Sequence, residues 1–294
     1  MDQAARTLDS DTLAHLQGWV GKTETLSDYI AASPMRALSA TLDRDDPAPV
    51  PGTALPPLWH WLYFVPQPRQ SLIGPDGHAA RGGFLPPVPL PRRMWAGGRL
   101  QWCVGNPLLA GDAVTRVSRI EAVTHKAGRT GDLLFVLVKH EIGNQNGLAL
   151  TEEHDIVYRA NPIAGEPVPL PTAAEKGAAW QREIIPDDVL LFRYSALTFN
   201  GHRIHYDRRY VTEVEGYPGL IVHGPLIATL LVDLLRREMP GASIANFQFK
   251  AVRPTFDLHP FRVNGQPSAD GRSVRLWAED HEGWLTMQAT ATLA

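Results

Sequence analysis

The stretch TFNGHRIHYD at residues 198–207 decides how this sequence is interpreted. It places one amide and two imidazoles within six positions, at Asn200, His202 and His205. Fifteen residues later the sequence HGPLIATLL begins at His223. A loop with a titratable base, followed by a helix start with free N–H groups, has the elements of an active site. The two segments therefore point to catalysis in the second half of the chain.

The segment from Pro225 to Arg237 has the apolar spacing of an α-helix. Apolar residues stand at positions 226, 227, 230, 231, 234 and 235, the i, i+3, i+4, i+7 pattern. Pro225 suits the first helical turn, Arg236 and Arg237 suit the negative end of the helix dipole, and Gly241 ends the segment. Because little of its circumference is polar, we predict that protein wraps this helix.

Several strand candidates surround this helix along the chain. They combine alternating polarity with β-branched or aromatic residues, and they cover residues 99–104, 112–124, 132–142, 148–159, 243–252, 260–264, 272–279 and 284–293. The sequence PLWHWLYFV at 57–65 is the helix candidate of the first half, and the Pro-rich stretch 161–178 is the predicted linker. We expect an α+β chain in which an antiparallel sheet wraps a helix in each half.

The composition limits the classes of function. The chain has 294 residues, 44% hydrophobic and 20% charged, as in a globular protein. A net charge of −3 without a basic run argues against nucleic acid as a partner. The single cysteine, Cys103, excludes an intrachain disulfide and a multi-cysteine zinc site. With no signal-peptide pattern and no long apolar run, we expect a cytoplasmic protein without a membrane partner.

The catalytic-loop sequence also resembles a known family. FNGHRIHYD followed by HGPLIATLL is similar to the hydratase motif of the MaoC-like hot-dog dehydratases, and RYSALTFNGHRIHYD resembles their hydroxyacyl-thioester dehydratase type 2 group. GDAVTRVSRI at 111–120 looks like the N-terminal half of those proteins. The resemblance implies a double hot-dog fold, with a non-catalytic half at 1–160 and a catalytic MaoC-like half at 179–294. The first half indeed has no N-x4-H loop before its helix candidate.

The resemblance implies reversible addition of water to an α,β-unsaturated acyl-CoA thioester. The substrate expected is short, branched and dicarboxylic, such as mesaconyl-C4-CoA, which would give citramalyl-CoA. Two alternatives stay open: a 3-hydroxyacyl-thioester dehydratase of fatty acid metabolism, with CoA or acyl carrier protein, and a non-catalytic acyl-thioester-binding protein. We expect no metal and no cofactor, with coenzyme A entering as part of the substrate. A monomeric pseudo-dimer and a homodimer are both compatible with this fold.

Matching the family motif residue by residue assigns roles in the loop. His205 falls on the family's catalytic histidine, and its ordinary pKa suits a general base. Asn200 falls on the catalytic aspartate; because an amide is no base, we expect it to orient the water. An Asx turn within the loop is the alternative for Asn200. The Gly224 N–H, at the start of the helix, is the candidate donor to the thioester oxygen.

Further candidates for substrate binding are imidazole or cationic side chains: His202, His223, Arg193, Arg203, Lys250 and Arg253. Lys250 and Arg253 would meet the phosphates of coenzyme A. A second carboxylate on the substrate would need another arginine. The sequence does not choose among Arg92, Arg93, Arg193 and Arg203 for that role.

Overall fold

The computed structural model describes residues 7–128, 131–161 and 170–294. Its strands are β1 (Thr23–Tyr29), β2 (Arg92–Trp102), β3 (Ala113–Gly128), β4 (Gly131–Asn144), β5 (Gly147–Arg159), β6 (Trp180–Ile184), β7 (Ile244–Ala251), β8 (Phe261–Pro267), β9 (Ser273–Glu279) and β10 (Leu285–Leu293). Its α-helices are α1 (Ser10–Gln17), α2 (Ala32–Thr41), α3 (Asp188–Leu197), α4 (Arg208–Glu213) and α5 (Gly224–Glu238).

All ten strands belong to one antiparallel sheet with the order β1-β3-β4-β5-β2-β7-β10-β9-β8-β6. The first half of the chain supplies the first five strands of that order, and the second half supplies the last five. The halves meet where β2 pairs with β7, Gly97 opposite Lys250 and Gly98 opposite Phe249. A Cβ on Gly97 would lie 2.4 Å from the Phe249 carbonyl oxygen, so the junction requires glycine there. The predicted α+β class is confirmed.

Helix α5 is the centre of the second half, as the apolar pattern predicts. Every residue from Leu226 to Leu235 is buried, and the helix packs on β6, β8, β9 and β10. Burying a side chain such as Leu stabilises the fold by about 1.5–3 kcal/mol. The buried stretch therefore accounts for much of the stability of this half, and it fixes the position of the helix start.

The helix predicted at residues 57–65 is wrong. Only a short 3-10 helix, Trp59–Leu62, forms there, because Leu58 and Phe64 have φ angles of 70° and 53° on either side of it. The α-helix of the first half is α2 instead, whose Met35 and Leu38 enter the main core. No side chain caps α2 at its start, so the sequence signal for that helix is weak.

The eight strand predictions are confirmed, although their ends differ by up to seven residues: β2 begins at Arg92, seven residues before its predicted start. The sequence missed two short edge strands, β1 and β6, of which β1 alternates only between exposed and half-buried residues. Residues 162–169 of the predicted linker, 161–178, lie outside the described part of the chain, so the domain limits stay predictions. Within the described residues, no helix has the length and hydropathy to span a membrane.

A buried carboxylate on α5 connects the two halves. Asp233, in the middle of that helix, is only 1% exposed. Its oxygens lie 2.7 Å from Arg44 of the first half, 2.9 Å from Arg182 of β6 and 2.8 Å from Arg237. These contacts place three guanidinium groups on one carboxylate.

We expect Asp233→Ala to lower the free energy of unfolding by about 3 kcal/mol, because it removes the carboxylate that three clustered arginines share, of which Arg44 keeps a second one in Asp46. Denaturant unfolding followed by circular dichroism measures this change. The control is Glu213→Ala, which breaks an exposed helical ion pair with Arg209 and should cost about 0.5 kcal/mol or less. Equal effects of the two substitutions would show that Asp233 does not hold the halves together.

Candidate active site

The loop after α3 has the conformation that holds the predicted catalytic residues. Phe199 adopts a φ of 48°, and the Asn200 N–H returns to the Ser195 carbonyl at 2.8 Å. The Asn200 Oδ1 accepts the His202 N–H at 3.0 Å, so the Asx turn is present. This bond uses one lone pair of the amide oxygen and leaves both Nδ2 protons for another partner.

His205 is held as a neutral base. Its Nδ1 lies 2.7 Å from the Ile221 carbonyl oxygen, which can only accept, so Nδ1 carries the proton and Nε2 carries the lone pair. The ring is buried, with 7% of the residue exposed. Burial lowers the pKa of His205 to about 4, and the bond to Ile221 opposes this shift only in part. At neutral pH, Nε2 is therefore free to take a proton.

His223 stacks on His205, with ring centroids 3.7 Å apart and an angle of 17°. Its Nε2 lies 2.8 Å from the Ser195 Oγ, whereas its buried Nδ1 has no hydrogen-bond partner among the described residues. Burial is the main reason that the pKa of His223 lies well below its ordinary value. Both stacked rings are thus uncharged at neutral pH.

Helix α5 begins at Gly224, directly after this ring. His223 occupies the N-cap position without a side-chain hydrogen bond to the helix. A Cβ on Gly224 would meet only the Met287 Cε, at 4.0 Å, so open space faces the first turn. The positive end of the helix dipole therefore points to a space in which a partial negative charge would be stabilised.

A loop from the first half, at residues 74–78, lies against the catalytic loop. The Arg203 N–H donates to the Asp76 carbonyl at 2.9 Å, and a Cβ on Gly77 would overlap the Gly201 carbonyl oxygen at 1.8 Å. The His78 ring packs 4.0 Å from the His202 ring and bonds through Nδ1 to the Asp76 carboxylate at 2.9 Å. Sequence reasoning missed Asp76 and His78, because no motif links them to residues more than 120 positions away.

Asp76, His78 and His202 form a group in which each residue offers a metal-ligand atom, all within 4.8 Å of one another. Two of the three are already joined by the hydrogen bond between Asp76 and His78. The ring nitrogen of His78 is thereby oriented toward a carboxylate, as in a hydrogen-bonded pair. We assign to this group the positioning of the His78 and His202 rings.

The structure brings together five of the predicted site residues: Asn200, His202, His205, His223 and Gly224. The four cationic candidates lie apart from this group or are engaged by other residues, and their role in binding substrate stays a prediction.

The placements of these cations differ. Arg193 is exposed on α3, and Lys250 is exposed on β7. Arg253 lies 3.3 Å from Asp280. Arg203 binds Asp207 at 2.8 Å, donates to the Pro75 carbonyl at 2.9 Å and covers the Tyr210 ring. Arg203 thus joins the two loops instead of facing open space.

The chain belongs to the hydroxyacyl-thioester dehydratase type 2 family, whose model matches residues 58–257. Among curated relatives, it is 45% identical over 283 residues to the mesaconyl-C4-CoA hydratase of Chloroflexus aurantiacus. That match covers 95% of this chain and 98% of the relative. The family resemblance inferred from the catalytic loop is therefore confirmed.

Solved structures confirm the predicted double hot-dog fold. HtdX from Mycobacterium tuberculosis superposes with a TM-score of 0.63 at 16% identity, covering 91% of this chain and 98% of that one. A conserved hypothetical protein of the same organism, described as a double hot dog, gives a TM-score of 0.56 at 13% identity, covering 94% and 96%. At these identities the likeness concerns the fold alone.

We expect His205 to stay neutral, with its proton on Nδ1, from pH 8 down to pH 5.5. Burial and the Ile221 carbonyl fix this state, whereas a free histidine would be mostly protonated below about pH 6.5. Long-range proton–nitrogen NMR of ring-labelled histidine, assigned with His205→Gln, distinguishes the two states. A ring that titrates near 6.5, or one with its proton on Nε2, would contradict the assignment.

Proposed function

We propose that this protein is a hydratase that reversibly adds water to an α,β-unsaturated acyl-CoA thioester. Its proposed substrate is short, branched and dicarboxylic, such as mesaconyl-C4-CoA, and its product citramalyl-CoA. The observation that carries the reaction type is the neutral His205, with Nε2 free, beside the uncapped start of α5. The 45% identity to the Chloroflexus aurantiacus mesaconyl-C4-CoA hydratase supports the choice of substrate.

The reaction joins hydroxide to the β-carbon and a proton to the α-carbon. His205 Nε2 takes a proton from water as the water oxygen bonds to the β-carbon, and the C=C electrons move onto the thioester oxygen. When the thioester carbonyl forms again from this enolate, the electrons of its Cα=C bond take the proton from the His205 imidazolium. His205 ends neutral, so one residue serves as base and then as acid.

The depressed pKa of His205 favours the second of these roles, that of the acid. A buried imidazolium is a strong acid, so it gives its proton up readily to the α-carbon. The Ile221 carbonyl accepts the Nδ1 proton throughout and stabilises the cation while it exists. The Asn200 amide protons, which the Asx turn leaves free, hold the attacking water by its oxygen.

The developing negative charge on the thioester oxygen needs donors beside His205. The Gly224 N–H supplies one, at the positive end of α5. His223 Nδ1 supplies a second, since Ser195 can donate its hydroxyl proton to Nε2 and so leave the ring proton on Nδ1.

A 3-hydroxyacyl-thioester dehydratase of fatty acid metabolism is the second candidate, and membership in the dehydratase type 2 family favours it. The two functions use the same chemistry and differ in the acyl group. Oligomeric state, a cytoplasmic location and delivery by CoA instead of carrier protein stay predictions.

We expect the purified protein to hydrate mesaconyl-C4-CoA, seen as loss of the conjugated thioester absorbance. His205→Ala should lower kcat by about 10²–10⁴-fold, because the general base is removed. The control is His259→Ala, which changes an exposed histidine stacked on His281 and should retain full activity. Turnover of crotonyl-CoA but not of mesaconyl-C4-CoA would support the fatty-acyl alternative, and thioester binding without turnover would support a binding protein.

We expect Asn200→Asp to lower kcat about tenfold, a barrier increase of about 1.4 kcal/mol, with little change in KM. The substitution keeps the oxygen that accepts the His202 N–H and removes the Nδ2 protons proposed to hold the water. It therefore separates the water contact from the shape of the loop. A variant that gains activity while its pH profile stays unchanged would contradict the proposed role.

A further inference from the structure

Arg92 and Arg93 open strand β2, and their side chains take opposite faces of the sheet. Arg92 reaches the second half, where it binds the Tyr217 hydroxyl and the Glu215 carbonyl, both at 2.7 Å. Arg93 pairs in register with the buried Tyr158 of β5. Directly paired strand residues share a face, so Arg93 lies on the side of Tyr158.

Arg93 lies close enough to His78 and His202, beside the candidate catalytic loop, for its charge to act on them. The positive charge of Arg93 is among the causes that lower the pKa of His78 and His202, and also that of His154 on β5. The His202 ring is in turn 5.4 Å from the His205 ring. The Arg81 guanidinium, three residues after His78, lies 5.8 Å from the ring of Tyr158, the residue with which Arg93 pairs. The guanidinium of Arg93 therefore lies on the side of the candidate site that carries His78 and His202.

Neighbouring arginines have partners that occupy their donors. Arg203 binds Asp207, and Arg81 donates to the carbonyls of Val88, Leu90 and Pro91. Among the described residues, no carboxylate oxygen lies within 4.0 Å of the Arg93 guanidinium. Arg93 is thus a half-buried cation without a counter-ion, which is a costly arrangement unless a ligand supplies the negative charge.

The rings around Arg93 favour an anion there. Burial lowers the pKa of His202 to about 2 and that of His154 to about 3, so both are neutral at physiological pH. The nearby carboxylate of Asp76 is taken by His78 at 2.9 Å. Neutral imidazoles can donate hydrogen bonds to a carboxylate without repelling it.

We infer that Arg93 binds the free carboxylate of the substrate and so selects dicarboxylic over monocarboxylic enoyl thioesters. This inference rests on the proposed hydratase function and names the residue that sets its substrate class. Of the four arginines that the sequence left open, Arg93 is the one near His202 that has no carboxylate partner among the described residues. Its side chain hydrogen-bonds to Tyr158, which leaves further guanidinium donors for a ligand. A planar guanidinium can hold a carboxylate by two parallel hydrogen bonds.

The chemistry of such a substrate fits this position. In a mesaconyl-C4 thioester, the free carboxylate is attached to the β-carbon, the atom that water attacks. It must therefore lie within a few bond lengths of the water held by His205. An unpaired carboxylate there would repel the incoming oxygen as negative charge builds on it, and pairing with Arg93 removes that repulsion.

Saturated thioesters have no C=C bond to hydrate, so they measure binding without turnover. Succinyl-CoA carries a carboxylate on its β-carbon, and butyryl-CoA carries a methyl group there. We expect Arg93→Gln to raise the Kd of succinyl-CoA about 10- to 100-fold, Arg93→Lys to raise it less, and both to leave the Kd of butyryl-CoA unchanged. Arg99→Gln, an exposed position on the same strand, is the matched control and should change neither constant. Isothermal titration calorimetry measures all of these constants.

The outcomes are distinguishable. Equal weakening of both thioesters by Arg93→Gln would overturn the inference, since it would show a structural role. A wild-type protein without preference for succinyl-CoA would overturn it as well. If the preference depends on Arg93 but mesaconyl-C4-CoA is not turned over, the carboxylate contact stands and the proposed reaction fails.

Discussion

The hydrogen bond from His205 Nδ1 to the Ile221 carbonyl is the constraint on which the site depends. It decides which ring nitrogen carries a lone pair, and in a buried ring no water can substitute for it. Ile221 is itself fixed, because its N–H donates to Ile204 at 3.0 Å and it bridges to Phe256. The catalytic loop and the segment before α5 thus hold each other. The stack of His205 on His223 then follows from the position of the helix start.

Both halves contribute residues to the candidate site, but they do so unequally. The second half holds the proposed base, the start of α5 and the proposed donors for the thioester oxygen. The first half contributes Asp76 and His78 against the catalytic loop, and Arg93 from the strand that meets β7. Because one sheet runs through both halves, strand pairing fixes β2, which carries Arg93, against β7 of the second half. A half that has no N-x4-H loop of its own can therefore still shape the substrate pocket.

The features that the sequence predicted depend on local patterns, whereas the features it missed depend on long-range contacts. The apolar period of α5 and the loop motif gave the helix and the histidines, because both signals lie within forty residues. The apolar run at 57–65 misled, since it has no helical period and positive φ angles at Leu58 and Phe64 interrupt it. The contact of Gly77 with Gly201 has no local signature. The choice of Arg93 required knowing which face of β2 each arginine occupies and which partners surround it.

The buried neutral histidines connect catalysis to stability. In the folded protein the pKa values of His202 and His205 lie below 6.5, so as pH falls below 6.5 the unfolded chain binds protons that the folded chain does not. Stability is therefore fully present above the ordinary pKa and declines toward the folded pKa values. Each such group contributes a slope of up to about 1.4 kcal/mol per pH unit. His205 is still neutral in this range, so the proposed base persists while this contribution to stability declines.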